Sequence, residues 1–350
     1  MIFRSDNTAG VAPSVLAELA KVNAGYVSSY GSDVITAEVE RRLSELFEKR
    51  VHLLMCTSGT AANSIALGAV TPSFGHCYCH ELAHIRVDEC NAVPMVTGGA
   101  NLWAVAGEHA KIDPDALRTA INFPDGSVHM GKPSSLGITQ ATERGCIYTL
   151  DEIDALTGIA KSKDLKVHLD GARFANALVA LGCTPAEMTW QRGVDLVTFG
   201  SAKNGTFSAE ALIIFDEQIA QTAAYLHKRM AQMSSKMRFQ SAQMLAYLQN
   251  DLWLDNARRA NATARYLAGR IEASGVGRLD HPVEANMLFW RVPNAIDEHF
   301  KAAGHHLTHD DWGDERTLRL VCAFDVQTSD VDKFMAETVE TLPQPLRQAS

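Results

Sequence analysis

No apolar run in this chain approaches twenty residues, so nothing in it is long enough to cross a bilayer as a helix. Its first residues, Met1-Ile2-Phe3-Arg4-Ser5-Asp6, lack the apolar core of a signal peptide, and a cytoplasmic location is expected. No long lysine or arginine run offsets the net charge of -9, which argues against a nucleic-acid surface. Cysteine is sparse and odd in number: seven in 350 residues at irregular spacing suit reduced thiols better than a disulfide framework. No G-x-G-x-x-G follows an apolar segment and no Walker motif occurs, which weakens a nucleotide-binding reading. The stretch densest in metal-type ligands, His76 to Cys90, spaces Cys77 and Cys79 only two apart with no matching second pair. Those cysteines read as one face of a buried strand, and no metal is expected.

With 46% apolar residues, the chain can bury one large core and a smaller appended one. Short apolar segments alternate with amphipathic ones through Asp216, which predicts a three-layer α/β unit with a mostly parallel sheet. The segment from Asn101 to Ala120 reads as a turn and a helix begun at Asp113-Pro114. Thr149-Leu150-Asp151-Glu152 is a capping box. Beyond Asp216 come helices, the longest from Asp255 to Ser274, then strands at Asn286 to Arg291 and Thr317 to Cys322 with helices between and after them. The expected division is a large domain over 1–250, including the N-terminal segment, and a small α+β domain over 251–350.

Two places carry chemistry. The apolar run Val51 to Cys56 feeds Thr57-Ser58-Gly59-Thr60 at the start of a helix, where backbone N–H groups, hydroxyls and the positive helix end converge. That is either an anion site or simply a capped helix. Further on, Lys166 to Asp170 and Leu196 to Phe199 are apolar segments that open into small polar residues. The second leads to Ser201-Ala202-Lys203-Asn204-Gly205, and Lys203 is the only charged residue between Asp195 and Glu210. Such surroundings lower an amine's pKa and favour the neutral nucleophile of a Schiff-base lysine. A carboxylate at one strand end and that lysine at the next form the pair a pyridoxal 5'-phosphate (PLP) site needs. His168 lies two residues before Asp170 on the same strand face, either supporting it or serving as a core histidine.

Together these motifs resemble the threonine aldolase family, the β-eliminating lyase group of fold-type I PLP enzymes. The resemblance runs from Arg4-Ser5-Asp6 to Leu318-Arg319-Leu320-Val321. Its most specific part is His168-Leu169-Asp170-Gly171-Ala172-Arg173 followed by Ser201-Ala202-Lys203-Asn204-Gly205. The resemblance implies that Lys203 holds PLP covalently, that Asp170 keeps the ring nitrogen protonated, and that Ser58, Gly59 and Thr60 cradle the phosphate. His84 would stack on the ring and act as base. Arg173 would serve cofactor or substrate, and Arg319, with Ser5, would bind the substrate carboxylate. Tyr30, with Asp33, and Arg238, near Lys236, would reach a neighbouring subunit's site, implying a homodimer or homotetramer. The expected reaction cleaves L-threonine or L-allo-threonine to glycine and an aldehyde. Alternatives are a phenylserine aldolase, a β-eliminating amino-acid lyase, or a non-catalytic PLP- or nucleotide-binding protein. One departure concerns the stretch Thr139-Gln140-Ala141-Thr142, where many members carry Thr-His-Asn-Gly. Gln140 can hydrogen-bond the cofactor but cannot act as a base.

Overall fold

In the computed structural model, residues 2–124, 126–344 and 346 are described. Seven strands form the larger sheet: β1 (His52–Cys56), β2 (Gly75–His80), β3 (Asn101–Val105), β4 (Lys132–Thr139), β5 (Lys166–Gly171), β6 (Leu196–Phe199) and β7 (Glu210–Ile214). They lie in the order β1-β7-β6-β5-β4-β2-β3. Only β7 runs against its two neighbours, and the remaining pairings are parallel. The other six strands therefore share one direction, and their carboxyl ends meet at one edge of the sheet, the edge where such folds bind ligands. β7 begins at that same edge, with Glu210. Helices on both faces bury the central strands, so Leu196, Val197, Thr198 and Phe199 show no inside-outside alternation.

The fold is the expected three-layer α/β unit, with one strand the sequence reading missed. Asn101–Val105 is the edge strand β3, only one of whose residues is buried, so its five positions carry no continuous apolar signal. Cys77 and Cys79 lie on β2 in an apolar cluster with Leu67, Ala83, Ile85 and Val93.

A second, antiparallel sheet has the order β10-β11-β9-β8: β8 (Arg278–Leu279), β9 (Met287–Pro293), β10 (Thr308–Trp312) and β11 (Glu315–Val321). β9 and β11 are the two expected strands. β8 is two residues long and β10 reads Thr-His-Asp-Asp-Trp, too short and too polar to announce themselves. Leu288, Trp290, Leu318 and Leu320 build the core of this sheet against Phe300 and Phe334. Phe3, expected with the larger unit, belongs to this smaller core. Its ring lies 5.0 Å from that of Phe334, and its carbonyl accepts from the Val321 N–H at 2.8 Å. That anchorage lays Ser5, Asp6 and Asn7 across the junction of the two sheets. The helix Leu252–Ser274 spans the same junction, burying Trp253 and Ala257 in the large core and Leu267 and Ile271 in the small one. Among the described residues no helix is long and apolar enough to cross a membrane.

Candidate active site

The site is assembled where β5 and β6 end. A Cβ on Gly200 would lie 2.5 Å from the Ala172 carbonyl oxygen, so glycine is what lets the two strand ends come together. The chain then turns through Ala202–Asn204, which carries Lys203. Glu210, at the start of β7, holds the turn from beneath: its carboxylate accepts from the Ser201 N–H at 2.7 Å and the Ala202 N–H at 3.3 Å. Gly205 closes it with φ +126°, and a Cβ there would sit 2.8 Å from Asn256 Nδ2. Burial lowers the Lys203 pKa and Arg173 lowers it further, against the pull of Asp6, Asp170 and Glu210. Burial pushes the Glu210 carboxyl up to about 7, which limits its own pull on the amine.

Asp170 is the next-to-last residue of β5 and is 4% exposed. Its Oδ1 accepts from the Ala172 N–H at 3.0 Å and its Oδ2 from Asn63 Nδ2 at 2.9 Å. The same Asn63 nitrogen donates to Glu89 Oε1 at 2.9 Å, and His84 Nδ1 donates to that oxygen at 2.9 Å. A polar chain thus runs from Asp170 through Asn63 and Glu89 to His84. Glu89 raises the His84 pKa by hydrogen bonding to its imidazole, and burial opposes it. His168 is a core residue: its Nε2 lies 3.0 Å from the Thr198 hydroxyl, and burial pushes its pKa down to about 4. It makes no hydrogen bond to Asp170 among the described residues.

Ser58 caps the helix Gly59–Val70, its hydroxyl accepting from the Ala61 N–H at 3.2 Å. Gly59 and Thr60, whose N–H groups precede any intrahelical acceptor, line a cavity of about 280 Å³ together with Asp170 and Lys203. A second cavity of about 430 Å³ opens outward, lined by Ser5, Leu82, Asp88, Phe289 and Arg319. His84, Glu143, Arg173, Lys203 and Asn7 border both.

The two arginines differ in state. Arg173 spends its Nε and Nη2 on Asp6, at 2.8 and 3.0 Å, so its planar fork is already matched by a carboxylate of this chain. Asn286 steadies that acid from the small sheet, donating at 3.1 Å. Arg319 has no carboxylate within ion-pair distance among the described residues; its Nη2 meets only Met287 Sδ, at 3.7 Å. Burial and the nearby Arg173 lower its pKa, the signature of a cation lacking its counter-charge.

Three expected site residues lie elsewhere. Gln140 is fully enclosed and lines neither cavity: its amide accepts from the Tyr148 N–H at 3.0 Å and donates to the Tyr148 carbonyl at 2.9 Å. It closes the loop 140–148, so its expected contact with the cofactor is corrected to a structural one. Gln140→Ala strands both Tyr148 groups and should cost about 2–4 kcal/mol in urea unfolding. Cofactor affinity measured on the folded variant should be unchanged. Tyr30 is exposed and Arg238 half-buried, and neither borders either cavity; Lys228 lies 4.8 Å above the Tyr30 ring, and Arg238 reaches the Gly25 carbonyl at 3.2 Å. Conversely, Asp6, Asn63, Glu143 and Glu210 went unselected in the sequence. A buried charge in an apolar strand, as at Glu210, was the one signal that could have found any of them.

The residues present fit PLP. Asp170 is a buried carboxylate oriented by two donors with no basic side chain within ion-pair distance among the described residues, which suits a protonated ring nitrogen. The helix start at Ser58 suits its phosphate, and Lys203 its aldehyde carbon. Fold and site together define a lyase of the PLP-dependent fold-type I class. Residues 3–293 match the β-eliminating lyase family, and the chain belongs to it. It is 39% identical to the low specificity L-threonine aldolase of Pseudomonas aeruginosa, covering 86% of this chain and 87% of that one. It is 36% identical to the enzyme of that name from Pseudomonas sp. (strain NCIMB 10558), over 96% of both chains. Among solved structures, threonine aldolase of Leishmania major superposes with a TM-score of 0.89 at 24% identity, covering 97% of this chain and 98% of that one.

Proposed function

We propose that the chain cleaves L-threonine, L-allo-threonine and related β-hydroxy-α-amino acids to glycine and an aldehyde. The observation that carries this reading is Arg319, a half-buried cation without a counter-charge at the border of a cavity that continues inward to Lys203. The names of the two Pseudomonas relatives support it.

PLP bound at the inner cavity supplies the sink for the electron pair left on Cα when the Cα–Cβ bond breaks. Everything else falls to the chain. Ser58, Gly59 and Thr60 fix the phosphate end, and Asp170, steadied by Asn63 and Ala172, keeps the ring end cationic. Arg319 and Ser5 take the substrate carboxylate, and Arg173, held by Asp6, adds positive charge beside it without swinging free. Anchoring the carboxylate selects which bond at Cα stands ready to break. Lys203, its pKa depressed, gives up and accepts protons readily. His84 stands where the two cavities meet, the position from which its imidazole hydrogen-bonds the β-hydroxyl. Under this reading the enzyme is a cytoplasmic homodimer or homotetramer, with Tyr30 and Arg238 serving a neighbour's site; their position away from both cavities of this chain supports that assignment.

Product analysis with stereochemically pure threonine, allo-threonine, phenylserine and serine tests the reading. Acetaldehyde and glycine in equal amounts are expected from the first two. 2-Oxobutanoate from threonine and pyruvate from serine as the main products, with no glycine, would overturn it.

A further inference from the structure

We propose that Glu143 is a second proton-transfer residue of this site, accepting the β-hydroxyl proton as the Cα–Cβ bond breaks; the proposal rests on the aldolase reading above. Glu143 leaves the end of β4 through the loop 140–148 and reaches the point where the inner and outer cavities meet. One oxygen, Oε1, accepts from the His84 backbone N–H at 2.7 Å, which fixes the carboxyl beside the imidazole. The other, Oε2, is enclosed yet makes no hydrogen bond of good geometry among the described residues, with the Thr139 hydroxyl nearby. A half-made carboxyl is costly to bury, and Glu143 lines the inner cavity with Lys203 as well as the outer one. A substrate with its amino group near Lys203 and its carboxylate at Arg319 occupies the two cavities that His84 and Glu143 both line.

The neighbouring groups favour Glu143 for this work. Gln140 is turned into its own loop. His84 is drawn toward its cationic form by Glu89, which makes it a better donor to the hydroxyl oxygen than an acceptor of the hydroxyl proton. Burial, with Asp170 adding to it, lifts the Glu143 carboxyl to about 7, while the His84 N–H and Thr139 pull it down. Other titratable and charged groups lining the two cavities are Asp88, Glu89, Arg144, Arg173, Lys203, Glu210, His309, Asp310 and Arg319. Proton and electrons balance simply. The O–H proton passes to Oε2, the O–H pair becomes the new C=O bond, and the Cα–Cβ pair remains on Cα, which later takes a proton to give glycine.

Glu143→Gln keeps an acceptor for the His84 N–H and removes only the titrating oxygen. The expected result is threonine cleavage slowed by roughly 100-fold or more. The rise of kcat/KM with pH through about 7 should also disappear, since only the ionised carboxyl accepts a proton. Exchange of the glycine α-hydrogen with D2O involves no β-hydroxyl and should fall by less than about fivefold. PLP retained per chain after dialysis should match the wild type. An infrared difference titration of wild type against Glu143→Gln should reveal one carboxyl losing its proton near neutrality. Cleavage within about threefold of wild type overturns the proposal. So does an equal fall in cleavage and exchange accompanied by cofactor loss, the behaviour of a purely structural residue, and so does a carboxyl already ionised at pH 5. A wild-type enzyme that exchanges glycine but cleaves no β-hydroxy amino acid would instead sink the aldolase reading itself.

Discussion

Lys203→Ala is expected to lower threonine cleavage by about 10⁴-fold or more, the scale on which removal of a covalent nucleophile is felt. The amine is buried, its pKa is lowered by that burial and by Arg173, and the turn that carries it is clamped by Glu210 beneath and closed by Gly205. No other lysine borders either cavity among the described residues, so no second amine can take its place. The loss will not come from unfolding. A desolvated lysine without an ion pair costs stability, so the alanine variant without cofactor should melt no lower than wild type. Borohydride treatment followed by peptide mass mapping should add the cofactor's mass to the Lys203 peptide of the wild type and leave the variant unlabelled. A variant that keeps even a tenth of wild-type turnover, or a label found on another lysine, would move the reactive amine away from Lys203.

Why Lys203 and Asp170 were legible in the sequence, and their neighbours were not, is a matter of range. A lysine among small residues after an apolar run, an acid at the end of another, and a hydroxyl-rich turn before a helix are local patterns, and each obeys rules that act over a few residues. The groups that set their charge states come from far along the chain. Arg173 meets Asp6 across 167 residues, Asp170 meets Asn63 across 107, and Glu143 meets the His84 N–H across 59. No periodicity or capping rule reports such pairings. Gln140 shows the opposite failure: its hydrogen-bonding capacity was read correctly but not its partner, because Tyr148, eight residues on, satisfies both ends of the amide. The same holds for the fold. The buried parallel strands stand out as apolar runs, while β3, β8 and β10 depend on pairing with neighbours that only the folded sheet supplies.

Asp170→Asn should reduce turnover by roughly 10³-fold, equivalent to about 4 kcal/mol of transition-state stabilisation. The carboxylate is buried, so its charge is little screened, and no basic side chain within ion-pair distance neutralises it among the described residues. Its partners are two donors, the Ala172 N–H and the Asn63 amide. Asparagine removes the charge and also turns one of its two polar atoms into a donor. That atom must face either the Ala172 N–H or the Asn63 amide nitrogen, and donor against donor is repulsive. If the amide nitrogen turns toward Asn63, the disturbance passes along Asn63 to Glu89 and so to His84 Nδ1. The variant should therefore lose turnover and also shift the pH dependence governed by His84. The sign follows from the lost charge: Asp170 helps to hold the His84 pKa up, so removing it lets that pKa fall back and the His84 limb moves to lower pH. Asn63→Ala separates the two effects, since it breaks the relay while leaving the Asp170 charge in place. Its His84 limb should not move to lower pH, since both Asp170 and Glu89 keep their charges, and its fall in turnover should be much smaller. Equal losses in the two variants would mean that Asp170 acts by holding the polar chain together rather than by its charge.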